Sequence, residues 1–188
     1  MLKERDDFVF DSDSDMKIAG DKPSVDVKRN AEKTEQKTNT TALSDAAKKA
    51  AQAVAEQFIS DASISHSEDF TDHDMILQRR LLLSFTATVG FEEYIKNDTL
   101  CGIAQKSFLD ALNKHSRELY LSSSDTGAFS FYYLAFRRGG DIERRIGQTF
   151  AMLCSHDGDP IFQELGEALY CWFSSVVKKA VNEYMAGV

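Results

Sequence analysis

A chain of 188 residues with 43% hydrophobic and 11% aromatic residues is long enough for one folded domain and a tail. Its formal net charge of −8 argues against nucleic acid as a partner, because phosphate binding needs a basic face. Only two prolines occur, Pro23 and Pro160, which favours long helices, since proline removes a backbone donor and clashes with the preceding turn.

The spacing of the cysteines and the length of the apolar stretches indicate the cellular compartment of the protein. The three cysteines Cys101, Cys154 and Cys171 have no CxxC or metal-ligand spacing, so we expect reduced thiols that fill the core. The N-terminal residues are charged and lack the apolar segment of a secretory signal. The longest apolar stretch, 81–89, is interrupted by polar residues and is far shorter than the ~20 residues that a spanning helix needs. We therefore predict a cytoplasmic protein without membrane insertion.

Residues 1–41 have the composition of a disordered charged arm. Eight Lys and Arg and ten Asp and Glu leave too little apolar surface to offset the entropy of ordering. Within this arm, the aromatic segment Phe8-Val9-Phe10 precedes the acidic run DSDSD. It resembles the hydrophobic-then-acidic peptides that bind ubiquitin-like modifiers, and such a segment can add as a strand to a partner's sheet edge. The alternative is a solvated tail.

Apolar residues at three- and four-residue spacing predict a series of helices after the arm. The approximate bounds are 43–62, 71–97, 98–121, 128–138, 141–155 and 160–185. The last begins at Asp159-Pro160, an acidic N-cap followed by proline at the first helical position. Its wide apolar stripe contains the single Trp172, so we predict a central post buried on most of its circumference. The expected fold is all-α, a single compact domain (42–188) of five or six helices around this C-terminal helix.

Residues 119–136 admit two interpretations. Phe129, Phe131 and Tyr133 alternate as in a β-hairpin, whereas Phe129, Tyr132, Tyr133 and Phe136 follow helical spacing. We predict a helix, because one isolated hairpin in a helical domain is only marginally stable.

A basic segment around two glycines is the leading candidate for a binding site. Arg137 and Arg138 precede Gly139-Gly140, and Arg144 and Arg145 follow at the start of the next helix. Glycines before a helix N-terminus, flanked by arginines, can form a corner that binds a phosphate or an acidic peptide. The alternative is arginines exposed to solvent or paired with the acidic residues between Lys49 and Arg79.

Histidines and acids suggest a second, metal-dependent possibility. His66 and His73 lie in that acidic segment, but their spacing matches no common metal-binding template. The pair His156-Asp157 resembles the His-Asp pair of HD-domain phosphohydrolases, which are helical metalloenzymes. That family needs a later Asp ligand, and the sequence has no Asp after Asp159, so the family's roles are not carried over.

Three functional hypotheses remain, and they differ in class. The first is a non-enzymatic helical interaction or regulatory domain whose partner is another protein or a second copy of the chain, with no cofactor. The second is a metal-dependent helical hydrolase. The third is a pocket for an aromatic or apolar ligand, motivated by the aromatic residues Phe129, Phe131, Tyr132, Tyr133, Phe136 and Trp172.

Overall fold

The computed structural model describes residues 25–64, 73–124 and 126–186, and in this part of the chain every regular element is an α-helix. The all-α class is confirmed, with one helix more than the upper predicted number. None of the described helices combines the length and the apolarity needed to cross a bilayer. The seven helices are α1 (Val25–Ile64), α2 (His73–Tyr94), α3 (Asp98–His115), α4 (Arg117–Ser123), α5 (Thr126–Arg137), α6 (Ile142–Leu153) and α7 (Pro160–Met185).

The chain divides into two compact units, residues 1–36 and residues 37–188. The first unit contains the beginning of α1, and the second contains the rest of α1 with α2 to α7. Helix α1 begins at Val25, well before the predicted start near Leu43. The part of α1 before Leu43 contains three Lys and two Glu, which form helices readily, but it has no apolar stripe that periodicity could detect.

Helix α7 packs most extensively against α6 and α2, and the ring centroid of Phe173 lies 6.1 Å from that of Phe58 on α1. Among the described helices, α2 has more partners than α7, because it also contacts α3, α4 and α5. Two crossings are tight because glycine stands at the contact. A Cβ atom at Gly90 of α2 would lie 2.9 Å from Cγ1 of Val177, and one at Gly166 would lie 2.6 Å from Cβ of Phe150 on α6.

The buried face of α7 overlaps the predicted apolar stripe in part: Leu169, Phe173, Val177 and Ala180 are buried as the helical spacing predicts. The buried residues are Gly166, Leu169, Tyr170, Phe173, Val177, Ala180 and Val181. Trp172 is 40% exposed and Ile161 is 73% exposed, so the prediction of burial was wrong for both residues. Helix α7 has apolar residues on two overlapping sides, one with Gly166 and Phe173 and one with Ile161 and Trp172. The side with Gly166 and Phe173 meets α6, α2 and α1, because the glycine lets the neighbouring helix approach closely.

The extra helix arises at Ser116, where the predicted third helix divides into α3 and α4. Ser116 has an extended backbone (φ −154°, ψ 125°), and its hydroxyl accepts a hydrogen bond of 3.2 Å from the N–H of Leu119. Serine favours such caps because its side chain replaces the backbone acceptor that the first turn lacks. The predicted continuous helix to residue 121 was therefore wrong at this one position.

Helix α5 resolves the choice between hairpin and helix in favour of helix. Its inward aromatic residues surround Phe85 of α2 at ring-centroid distances between 5.1 and 6.2 Å: Phe129, Tyr132, Tyr133 and Phe136. Four of the residues that motivated an aromatic ligand pocket thus belong to a packed cluster around Phe85.

Candidate functional site

The basic segment forms a tight turn that places α5 and α6 side by side. Gly139 and Gly140 adopt positive φ angles of 66° and 76°, which glycine reaches at no steric cost. Asp141 then caps α6, and its carboxylate accepts a hydrogen bond of 3.1 Å from the N–H of Arg144. The carboxylate of Asp141 therefore already provides a negative charge at the N-terminus of α6.

An open groove of about 340 Å³ runs between α5 and α6. Three of its apolar side chains are strongly exposed, Phe131 by 47%, Leu134 by 57% and Met152 by 43%. Large apolar side chains that cluster in a groove at this level of exposure are typical of interaction sites on soluble proteins. The remaining lining residues are Ala135, Arg138, Arg145, Gln148, Thr149 and Asp157.

The four arginines of the basic segment separate into two pairs. Arg138 and Arg145 line the groove. Arg137 instead lies over the ring of Tyr133, with its guanidinium carbon 5.7 Å from the centroid, and Arg144 is exposed outside the groove. Among the described residues, none of the four takes part in an ion pair. The groove thus joins apolar side chains to two cationic ones, with Asp157 as the acidic residue of its lining.

Asp61, in the acidic segment before α2, pairs with Arg79 of α2. Nε of Arg79 donates a hydrogen bond of 2.9 Å to Oδ2 of Asp61, and Nη2 bonds the second carboxylate oxygen. Both side chains are largely buried. Arg80, also buried, lies 3.6 Å from a carboxylate oxygen of Glu118 on α4. In the described part of the chain, the acid at the end of α1 therefore has its partner on α2 rather than in the basic segment.

The proposed metal ligands do not come together among the described side chains. His156 stacks on Phe162 with ring centroids 3.7 Å apart, and Asp157 lines the α5/α6 groove. His66 and the side chain of His73 lie outside the described part of the structure. Within that part, no three His, Cys, Asp or Glu side chains converge in a manner that could hold a metal ion. The segment Phe8-Val9-Phe10 also lies outside the described residues, and its role stays a prediction.

Sequence reasoning identified the cations of the groove and named Phe131 as a ligand contact, but it missed Leu134 and Met152. Phe131 and Leu134 are three residues apart, so they share one face of α5, opposite to the face that meets Phe85. The apolar residues on this second face could have predicted a binding surface, because a helix with only one buried side should be polar on the other. Helical spacing also places Met152 in the core of α6, whereas it is exposed.

Comparison of the chain with protein-family models, with curated proteins and with solved structures found no match. The geometry of the described residues is therefore the basis for the functional argument.

Proposed function

We propose that this protein is a non-enzymatic interaction domain whose α5/α6 groove binds an amphipathic helical segment of another protein. The supporting observation is that Arg138 and Arg145 flank the exposed side chains of Phe131, Leu134 and Met152. A groove between two packed helices accommodates a third helix, whose apolar residues fill the groove at three- and four-residue spacing. Charge complementarity requires acidic residues along the flanks of that helix.

Apolar contacts and charges are expected to make different contributions to this binding. Full burial of a leucine contributes about 2 kcal/mol, and Leu134 is 57% exposed, so its contact with a partner is worth roughly 1 kcal/mol. The two guanidinium groups are solvent-accessible before binding, so they mainly raise the association rate and make it dependent on salt.

Fluorescence anisotropy with a labelled model peptide tests the proposal. The peptide carries leucines at helical spacing and glutamates elsewhere, and a second peptide has every glutamate replaced by lysine. We expect saturable binding of the acidic peptide, weakened by salt, and much weaker binding of the basic one. Equal binding of both peptides would contradict the charge argument.

Matched variants locate the binding to the groove. We expect Leu134→Ala to weaken binding about fivefold, whereas Leu121→Ala, at an exposed leucine of α4, should leave it unchanged. Arg138→Glu with Arg145→Glu should abolish binding. Arg137→Glu with Arg144→Glu makes the same change of charge outside the groove, and similar losses in both double variants would count against the site.

A second copy of the chain is the other candidate partner, favoured by the outer face of α7. Ile161, Ala168 and Trp172 are exposed there at spacings of seven and four residues, so they share one side of the helix. Sedimentation velocity over a range of protein concentrations tests this: self-association through α7 predicts a dimer that Ile161→Lys dissociates. A monomer at every concentration would exclude it.

A further inference from the structure

A second cavity, of about 360 Å³, opens where the end of α2 and the start of α6 meet α7. It is separate from the α5/α6 groove and shares no lining residue with it. Its walls are aromatic and its rim is acidic. The lining residues are Glu93, Tyr94, Phe136, Ile142, Glu143, Tyr170, Cys171 and Ser174.

The electrostatic potential in this cavity is negative, because two glutamates line it. Glu93 and Glu143 are both exposed and come from different helices, α2 and α6. Burial, followed by the charge of Glu93 and more weakly that of Glu143, raises the pKa of Tyr170 to about 12. Burial and Glu143, which also hydrogen-bonds the thiol, raise the pKa of Cys171. Both carboxylates thus raise the pKa of residues that line the cavity. A cation bound there would be attracted by their negative charge.

Tyr170 supplies a polar atom that the protein does not use. The residue is only 8% exposed, and its hydroxyl makes no hydrogen bond with any residue of the described chain. Two other unpaired hydroxyls, those of Tyr132 and Ser123, are fully enclosed, whereas the Tyr170 oxygen is not. Tyr170 lines the cavity, and its unpaired hydroxyl oxygen is a hydrogen-bond acceptor for a ligand bound there.

The aromatic walls select the kind of cation. Tyr94 and Phe136 are half-buried and line the cavity, and the Tyr94 hydroxyl is fixed by a 3.3 Å contact with the Ser174 hydroxyl. A hard metal ion needs several converging oxygen ligands, which aromatic rings do not provide. An ammonium group attached to carbon is attracted by ring faces as well as by carboxylates. Lys178 already illustrates this attraction, because its Nζ lies 5.9 Å from the centroid of the Tyr94 ring.

We propose that this cavity is a binding site for an alkylammonium group, held between Glu93 and Glu143, against Tyr94 and Phe136, and hydrogen-bonded to the hydroxyl of Tyr170. The group comes either from a small free amine or from a lysine side chain of another protein. The site is independent of the α5/α6 groove, so each can fail without the other.

Methyl NMR of the full chain labelled at isoleucine tests this site, because Ile142 lies in its wall. The probe is n-butylammonium, and n-butanol is its neutral counterpart. We expect a saturable shift of the Ile142 methyl signal with the ammonium, with a dissociation constant on the order of millimolar. Isoleucine signals far from the cavity, such as that of the exposed Ile161, should stay in place. No saturable shift, or an equal shift with n-butanol, would overturn the proposal.

Variants that neutralise glutamates distinguish binding in the cavity from a general attraction of cations to an acidic protein. Glu93→Gln with Glu143→Gln should weaken binding at least about tenfold, while Glu164→Gln with Glu183→Gln removes the same charge from exposed positions of α7 outside the cavity and should change nothing. Lys178→Gln removes a cation from the Tyr94 ring, so it should strengthen binding of the ammonium group. Equal loss in both glutamine pairs, or weaker binding after Lys178→Gln, would refute the assignment.

A capped lysine, whose α-amino and carboxyl groups are both blocked as amides, identifies the source of the ammonium group. Binding as tight as that of n-butylammonium supports a lysine of a partner protein. Binding of n-butylammonium alone supports a free amine, because the cavity then rejects the attached backbone.

Discussion

Replacing Gly166 with alanine tests the packing of α7 on α6 at a single atom. The added Cβ would lie 2.6 Å from Cβ, 2.8 Å from Cγ and 2.9 Å from Cδ1 of Phe150, whose side chain is fully buried. Carbon atoms in contact prefer separations of about 3.5–4.0 Å. Phe150 Cβ is bonded directly to the backbone, so the contact is relieved only if the two helices move apart by about 1 Å.

The cost of that movement outweighs the helix-forming advantage of alanine. Overpacking of a core costs about 1–3 kcal/mol, and three close contacts place Gly166→Ala near the upper end. Alanine recovers roughly 1 kcal/mol relative to glycine inside a helix. We therefore expect a net loss of about 2 kcal/mol, which lowers the melting temperature by roughly 4–8 °C in a domain of this size.

Gly102 provides the matched control, because a Cβ atom there meets no other atom within 4 Å. Gly102→Ala on α3 should raise stability by up to about 1 kcal/mol, since it gains helix propensity without a clash. Urea unfolding followed by far-UV circular dichroism measures both variants. The same sign and size of change at Gly102 and Gly166 would refute the argument that α6 and α7 require glycine at their contact.

Three further substitutions test other parts of the structure. Gly147→Ala would press a Cβ atom against the backbone of Gln163 and should lower the urea midpoint at least as much as the change at Gly166; an unchanged midpoint would contradict this. Arg79→Met removes the two-point ion pair of the largely buried Asp61 and should cost about 3 kcal/mol in urea unfolding, whereas a loss below about 1 kcal/mol would contradict a stabilising role of this pair. The pKa of Tyr170 is raised to about 12, so its contribution to stability is complete below about pH 10 and is lost as pH rises through 12. Tyr170→Phe should therefore make stability fall less steeply over that interval, and an identical slope would contradict the shift.

The fold class followed from the sequence because helical periodicity is a local property. The scarcity of proline and the cap at Asp159-Pro160 located the last helix almost to the residue. The break at Ser116 was missed because the apolar spacing continues through it, and only the backbone conformation shows the hydroxyl acting as a cap. The burial of α7 was misjudged because Phe173 and Trp172 are both large and aromatic, and only tertiary packing decides which one faces the core.

The candidate sites were less accessible from sequence because they join residues of different helices. The arginines were evident as a local cluster, but only the geometry of the turn separates Arg138 and Arg145 from the other two. The acidic cavity combines Glu93, Glu143 and Tyr170, which come from three helices, and no spacing rule relates them. A single sequence carries no record of such convergence, which depends on how α2, α6 and α7 cross.

The position of Trp172 has a spectroscopic consequence. It is the single tryptophan of the chain, and the residue is 40% exposed on the outer face of α7 while the adjacent Phe173 is buried. The native protein should therefore emit between the short wavelength of a buried indole and the long wavelength of a hydrated one, and denaturation should shift that emission to longer wavelength. The residue also reports on anything that covers this face, since a bound partner would move the emission to shorter wavelength without any change in the fold.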